Sequence, residues 1–316
     1  MTSKKNRLIQ ALPLILQASL CCLLWATAIP TLKVSYKLLN IESSDIYNRL
    51  VLAGMRFLIA GILITLFILI KEKKVTLVTG KQWFTVIIFG LLNTTIQYLF
   101  FYNGVGNTGA IKGVLIDTSK PLMVVILAHF LTRDDRISSN KIIGLCLGFA
   151  GIMLANVQVI KDGGLDINMS LPGEGFLLIS SLAYAIAVLY GRKAMKTIQS
   201  LALNMHQMLI GSIILLVIGL IGANGFHLVF TLPVVALLIY SSILSAVAFV
   251  VWYKLIHTYG ASSVAIYIFL IPVFGAVISS SIFPEETLTL NLLGSLILMC
   301  ISIYLVNKRR PLKEQS

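Results

Sequence analysis

Four ionisable residues stand inside long apolar stretches of this 316-residue chain: Arg56, Lys112, Asp117 and Lys120. A charge at membrane depth costs about 2.5–3.5 kcal/mol on insertion scales, so each such residue needs a partner or a task. On one continuous helix over 109–130, Lys112, Asp117 and Lys120 fall within an arc of about 140°. Gly109, Gly113 and Ile116 lie close to the same arc. Small residues interleaved with charges suit a cavity wall better than a lipid-facing surface. Three cations facing one acid cannot all be neutralised by it. The chemistry this implies is anion binding, with the cations holding a group such as a carboxylate while Asp117 meets an amine or carries a proton. In the other reading Asp117 simply pairs with Lys120 or Lys112, and Arg56 caps backbone carbonyls. The two are compatible, because an internal ion pair can break when a substrate arrives.

Around these charges, Trp25, Tyr98, Tyr184 and Gln207 are candidates to line a pathway, with Asn93, Gln97, Tyr102 and His206 beside them. Trp25 and Tyr184 could stack on a planar or apolar substrate, although interhelical packing explains each as well. Pro30, Pro121 and Pro272 are candidate kinks or hinges, since a proline inside a helix removes a backbone donor. No catalytic constellation is present: there is no HExxH, no GxSxG, no Walker A loop and no acid pair suited to peptide or phosphate chemistry within a span. The four cysteines (Cys21, Cys22, Cys146 and Cys300) sit in apolar spans with no CxxC spacing and no nearby histidine. They read as free thiols, with no metal and no cofactor implied.

The elements that must hold these residues follow from composition. The chain is 58% hydrophobic and 12% charged, with mean hydropathy +0.93. A soluble domain would carry about twice that charge, so the apolar residues must face lipid. Runs long enough to cross the hydrocarbon core fall at about 11–32, 50–70, 83–102, 109–130, 141–158, 173–191, 203–223, 233–253, 261–282 and 289–306. Their lengths suit helices rather than the short alternating strands of a barrel. The expected class is an all-α integral membrane protein of ten spans. With both termini placed in the cytoplasm, 18 of the 25 lysines and arginines fall in inside segments, and four (Lys33, Lys37, Arg49, Lys161) fall outside. That bias sets the orientation. It also explains the net charge of +13 without a nucleic-acid partner.

The two halves of the chain match at an offset of 151 residues. Tyr102 falls on Tyr253, Gly109-Ala110 on Gly260-Ala261, Pro121 on Pro272, Asp134-Asp135 on Glu285-Glu286 and Asn140 on Asn291. Five spans per copy turn the second upside down relative to the first. The expected organisation is a first repeat over 1–158, an extracytoplasmic linker over 159–172, and a second repeat with a short basic tail over 173–316. Inverted repeats of this kind are a transporter architecture, because two similar halves can open a central site alternately to each face. The mirror of Arg56 is Gln207, and Ser263, Ile268 and Ile271 mirror the other three ionisable residues, so the charge is concentrated in the first half.

Several segments resemble the EamA type of the drug/metabolite transporter superfamily, and the resemblance covers nearly the whole chain. They are Gly109-Ala110-Ile111-Lys112 through Pro121, the loop Phe130–Ser138, and the glycine-rich Gly144–Gly151. In the second copy they are Tyr253, Gly260–Ser263, Ile271-Pro272 and Pro284–Glu286. Leu24–Pro30 and Met55-Arg56-Phe57 also fit. One departure is Arg133-Asp134-Asp135-Arg136 where the family has a Gly-Glu-Arg-like turn. That loop is expected to be structural. The resemblance implies a ten-helix carrier of the cell (plasma or inner) membrane, commonly an exporter of amino acids, metabolites or drugs, and it names no single substrate. The expected function is secondary transport of a small carboxylate-bearing metabolite, with lipid as surroundings, protons as a possible coupling ion, and either a monomer or a homodimer. The competing classes are an intramembrane enzyme, which turnover of a lipid or peptide would reveal, and a non-transporting sensor or accessory subunit, which would carry a signalling domain.

Overall fold

The computed structural model describes residues 2–42, 44–73, 78–108, 113, 116–132, 135–155, 157, 169–282 and 290–308, and every regular element among them is helical. In chain order these are α1 (Thr2–Leu38), α2 (Ile46–Glu72), α3 (Gln82–Gly106), α4 (Lys120–Leu131), α5 (Ser139–Ala155), α6 (Leu171–Ala194), α7 (Ser200–Gly222), α8 (Leu232–Tyr259), α9 (Ala261–Ala265), α10 (Leu270–Ile282) and α11 (Leu290–Asn307). Six of them (α1, α2, α3, α6, α7 and α8) are long and apolar enough to cross a membrane, and four shorter apolar helical stretches cover 120–131, 139–154, 261–275 and 293–307.

Local chemistry sets several boundaries that apolar windows miss. The side chain of Asp45 accepts from the Asn48 amide at 3.1 Å, so α2 starts at Ile46 rather than at Leu50; an acid at this position satisfies one of the open amides of the first turn. Arg49, expected in an outside loop, is therefore inside α2 and only 1% exposed. Pro30 lies within α1, which runs on to Leu38. Around it the hydroxyls of Thr27, Thr31 and Ser35 donate to the carbonyls of Leu24, Thr27 and Thr31 at 2.7–2.8 Å, and such bonds shield a backbone interrupted by a missing amide.

The expected single helix over 109–130 is broken. Residues Ile116 and Asp117 are helical, Thr118 and Ser119 form a turn, and α4 begins anew at Lys120 with Pro121 in its first turn. There the missing amide has no helical partner to lose. The single-helix arc drawn for Lys112, Asp117 and Lys120 does not survive this break, and Lys112 itself lies outside the described residues. Pro272 has a similar setting: α9 tightens into a 3-10 stretch over Ile266–Phe269, and Pro272 follows near the start of α10. Pro121 thus sits where a helix resumes, and Pro272 within a helical stretch just after its 3-10 turn.

Glycines let the longest contacts close. A methyl group on Gly54 of α2 would lie 2.6 Å from Leu216 of α7, and one on Gly144 of α5 would lie 2.6 Å from Val306 of α11. Such small-residue seams are how helices associate where lipid supplies no hydrophobic drive. α1 packs on α8 and α10, while α6 packs on α3 and α4. Within α3, Leu91–Ile96 is a π-helical segment carrying buried Asn93, Thr94 and Thr95.

Candidate substrate site between Arg56 and Lys120

α2 carries Arg56 into the bundle, where it is 5% exposed. Its Nε donates to the Ser241 carbonyl at 3.2 Å and to the Ser245 hydroxyl at 2.9 Å, both on α8. Its Nη1 donates to the Tyr102 hydroxyl on α3 at 3.2 Å, and the guanidinium lies 5.2 Å from the Phe57 ring centre. Every one of these partners is neutral. Arg56 also lines a small cleft with Thr31, Ser35, Tyr102, Leu238 and Ser241. A desolvated guanidinium on a cleft wall presents a fixed fork suited to a carboxylate.

Across the bundle, Lys120 at the start of α4 forms an ion pair with Asp117, one turn earlier across the break. The pair meets by proximity and lacks hydrogen-bond alignment at Asp117 Oδ1. The Lys120 ammonium also sits 4.9 Å from the Phe101 ring centre and 5.6 Å from that of Tyr184. Aromatic faces stabilise a desolvated cation in this way.

A chain of rings joins the two cationic regions. Tyr98 packs 4.3 Å from Phe57 and 5.8 Å from Phe101 between ring centres, and Phe249 reaches Tyr98 and Trp25. Trp25 meets Trp252 edge-on at 4.8 Å, and Trp252 donates its indole N–H to the Tyr184 hydroxyl at 2.9 Å. The structure therefore brings Arg56, Asp117, Lys120, Trp25, Tyr98 and Tyr184 into one continuous aromatic and charged region. Gln207 is not part of it. It is fully buried between α7 and α3, where it accepts from Thr94.

Four contributors are not singled out by the sequence. Ser241 and Ser245 anchor Arg56 from consecutive turns of α8, and their only signal was hydroxyls four apart in an apolar span. Arg49 lies 5.3 Å from the Tyr36 ring centre and donates to the Glu42 carbonyl at 2.8 Å. Tyr36 in turn donates to the Tyr102 carbonyl at 3.4 Å. The fourth is Asp135, in the loop ahead of α5. It accepts from Lys141 at 2.5 Å and from the Ser262 amide of α9 at 3.0 Å. The loop, expected to be structural, ties the first half of the chain to the second.

Burial alone would raise the Asp135 carboxyl, but the Lys141 ammonium and the Ser262 amide outweigh it and hold it below its ordinary 3.8. A depressed acid contributes stability that is complete above its unfolded value and is lost as pH falls through its folded value. Arg192 lies against the same Gly260 as Asp135. Asp135→Asn is expected to destabilise by about 3 kcal/mol, the cost of stranding a buried partner. In thermal unfolding of the purified protein, the gap between wild type and variant should stay flat from pH 8 to about pH 5, then close below 3.8.

The bundle of apolar helices is that of a multi-pass membrane protein, and the family that both of its halves match makes it a transporter rather than an enzyme. The EamA-like transporter family model matches residues 12–157 and again 171–308, and the chain belongs to that family. It is 32% identical to the uncharacterized transporter YvbV of Bacillus subtilis (strain 168), over 82% of this chain and 83% of that one. It is 26% identical to an uncharacterized transporter of Archaeoglobus fulgidus over 92% and 96%. A crystal structure of a protein 13% identical in sequence superposes with a TM-score of 0.72, covering 93% of this chain and 96% of the other, a likeness of fold alone.

Proposed function

We propose that this protein is a secondary-active carrier for a small carboxylate-bearing metabolite, an amino acid or a relative of one, working by alternating access and in the direction of export. The observation that carries the reading is Arg56, a buried guanidinium on a cleft wall whose described partners are all neutral. The aromatic chain from Tyr98 to Trp25 would hold the body of the substrate, and Lys120 would offer a second cation. Asp117 would exchange Lys120 for a proton and so couple movement to a proton gradient.

In this reading the chain crosses the cell membrane ten times, as two inverted halves over 1–158 and 173–316 joined by 159–172. The end of the bundle holding Asp135, Arg192 and Gly260 faces the cytoplasm, as do both termini. The helix pairings support it. Exchanging each span for the one five later carries α1 on α8 into α6 on α3, and α1 on α10 into α6 on α4. The lysine and arginine bias supports the orientation.

Matched ligand pairs test the function. Free amino acids and other carboxylates should raise the melting temperature of the purified protein, and their amides or esters should not. Equal shifts from acids and amides would end the anion-site reading.

A further inference from the structure

The Arg56 cleft has a counterpart at the 151-residue offset. Leu52, Arg56, Tyr102, Leu238 and Ser241 line the cleft, and their mirrors are Leu203, Gln207, Tyr253, Ile87 and Gly90. The contacts are mirrored as well. Arg56 bonds Ser245, and Gln207 bonds Thr94, whose mirror is Ser245 itself. In the second set Leu203, Gln207 and Tyr253 are fully buried, while Ile87 is exposed. Phe89 packs 5.1 Å from the Tyr253 ring, and a methyl group on Gly191 would lie 2.7 Å from Phe89.

This buried region is polar. Tyr253 donates to Asn93 Oδ1 at 2.6 Å, and Thr95 donates to the Gly211 carbonyl at 3.2 Å. Asn93 Nδ2, Gln97 Oε1 and Gln207 Nε2 are buried without a hydrogen-bond partner, and buried polar atoms are ordinarily paired. A permanently closed helix interface has no use for three such groups. A surface that takes up water or substrate in another conformation does. The π-helical segment that presents Asn93 and Thr94 fits the same role, since such segments gather at functional sites. The asymmetry is chemical too, because the counterpart has a neutral amide where the cleft has a guanidinium. It would take the polar, hydrogen-bonding parts of a substrate and would not hold its anion.

We propose that Asn93, Thr94, Gln207 and Tyr253 line the second half of the substrate path, shut in this conformation by Phe89 and latched by Asp135. The latch spans the two halves of the chain at the same end of the bundle. Asp135 bonds the Ser262 amide beside Gly260, whose φ of +96° is a backbone conformation that favours glycine. Breaking it would free α9 to move from the loop before α5. The proposal rests on the carrier reading of this bundle, but its test needs no substrate.

The test is cysteine accessibility. Thr94→Cys is introduced after Cys146 and Cys300, the two exposed thiols, are changed to serine. A sulfonated, membrane-impermeant methanethiosulfonate is then added to sealed vesicles of either orientation. With the latch intact, labelling from the Asp135 end should be near background. Asp135→Ala, Lys141→Met and, independently, Phe89→Ala should each raise the rate from that end at least tenfold, with labelling from the Arg56 end unchanged. Unchanged rates in the variants, or an equal rise from both ends, would overturn the proposal. Opening at Thr94 together with an anion response that survives Arg56→Gln would sink the Arg56 site and leave the second half of the path standing. The reverse pattern would sink only the latter.

Discussion

Arg56→Gln is expected to weaken the stabilisation of the purified protein by carboxylate ligands while leaving the ligand-free protein at least as stable as wild type. The two effects have opposite causes. Empty, the guanidinium is a desolvated charge whose described partners are a carbonyl, a serine hydroxyl and a tyrosine hydroxyl, and a charge in a span costs about 2.5–3.5 kcal/mol on insertion scales. Glutamine can donate to the Ser241 carbonyl without that cost. Filled, the same guanidinium would make a charge-assisted bond to the ligand worth about 1.5–3 kcal/mol, so its loss should weaken binding by about 10- to 100-fold. Arg56→Lys keeps the charge but loses the fork, and should fall between the two. Thermal unfolding with and without ligand reads both effects. If Arg56 were only a structural cap, the variant would melt lower and its ligand response would be unchanged.

How far this site could be read from the chain depends on which signals are local. Arg56, Asp117 and Lys120 stood out because a charge inside an apolar run is costly wherever the run folds, and the structure does bring Asp117 and Lys120 together. Their common helix face was not legible, since the break at Thr118 and Ser119 precedes Pro121 and a wheel assumes that no such break exists. Arg49 reads as a loop residue because the apolar run starts at Leu50, although the sequence does hold the Asp45 and Asn48 that cap the helix before it. Ser241 and Ser245 look like any serines that bond back to their own helix, as both also do; that they hold Arg56 is a fact of tertiary packing. The role of Asp135 is equally a matter of tertiary packing. Its partner Ser262 lies 127 residues away, and no spacing rule reaches that far.

Asp117→Asn is expected to abolish substrate accumulation driven by a pH gradient in proteoliposomes, while exchange of substrate for substrate across the same membrane continues. Exchange requires only that the loaded site change sides. Accumulation requires that a proton move with each cycle, and Asp117 is the acid that meets a cation at this site. Lys120→Met should do different damage. It strands the carboxylate among Tyr98 and Tyr184 in a desolvated setting, which costs about 3–5 kcal/mol when one member of a buried pair is removed, so this variant should melt lower as well as lose accumulation. The double variant Asp117→Asn with Lys120→Met carries no stranded charge and should recover most of that stability without recovering accumulation. A double-mutant cycle of melting temperatures therefore isolates the ion pair, and uptake measured beside it isolates the proton. Intact pH-driven accumulation in Asp117→Asn would remove Asp117 from the coupling step and leave it as the structural partner of Lys120.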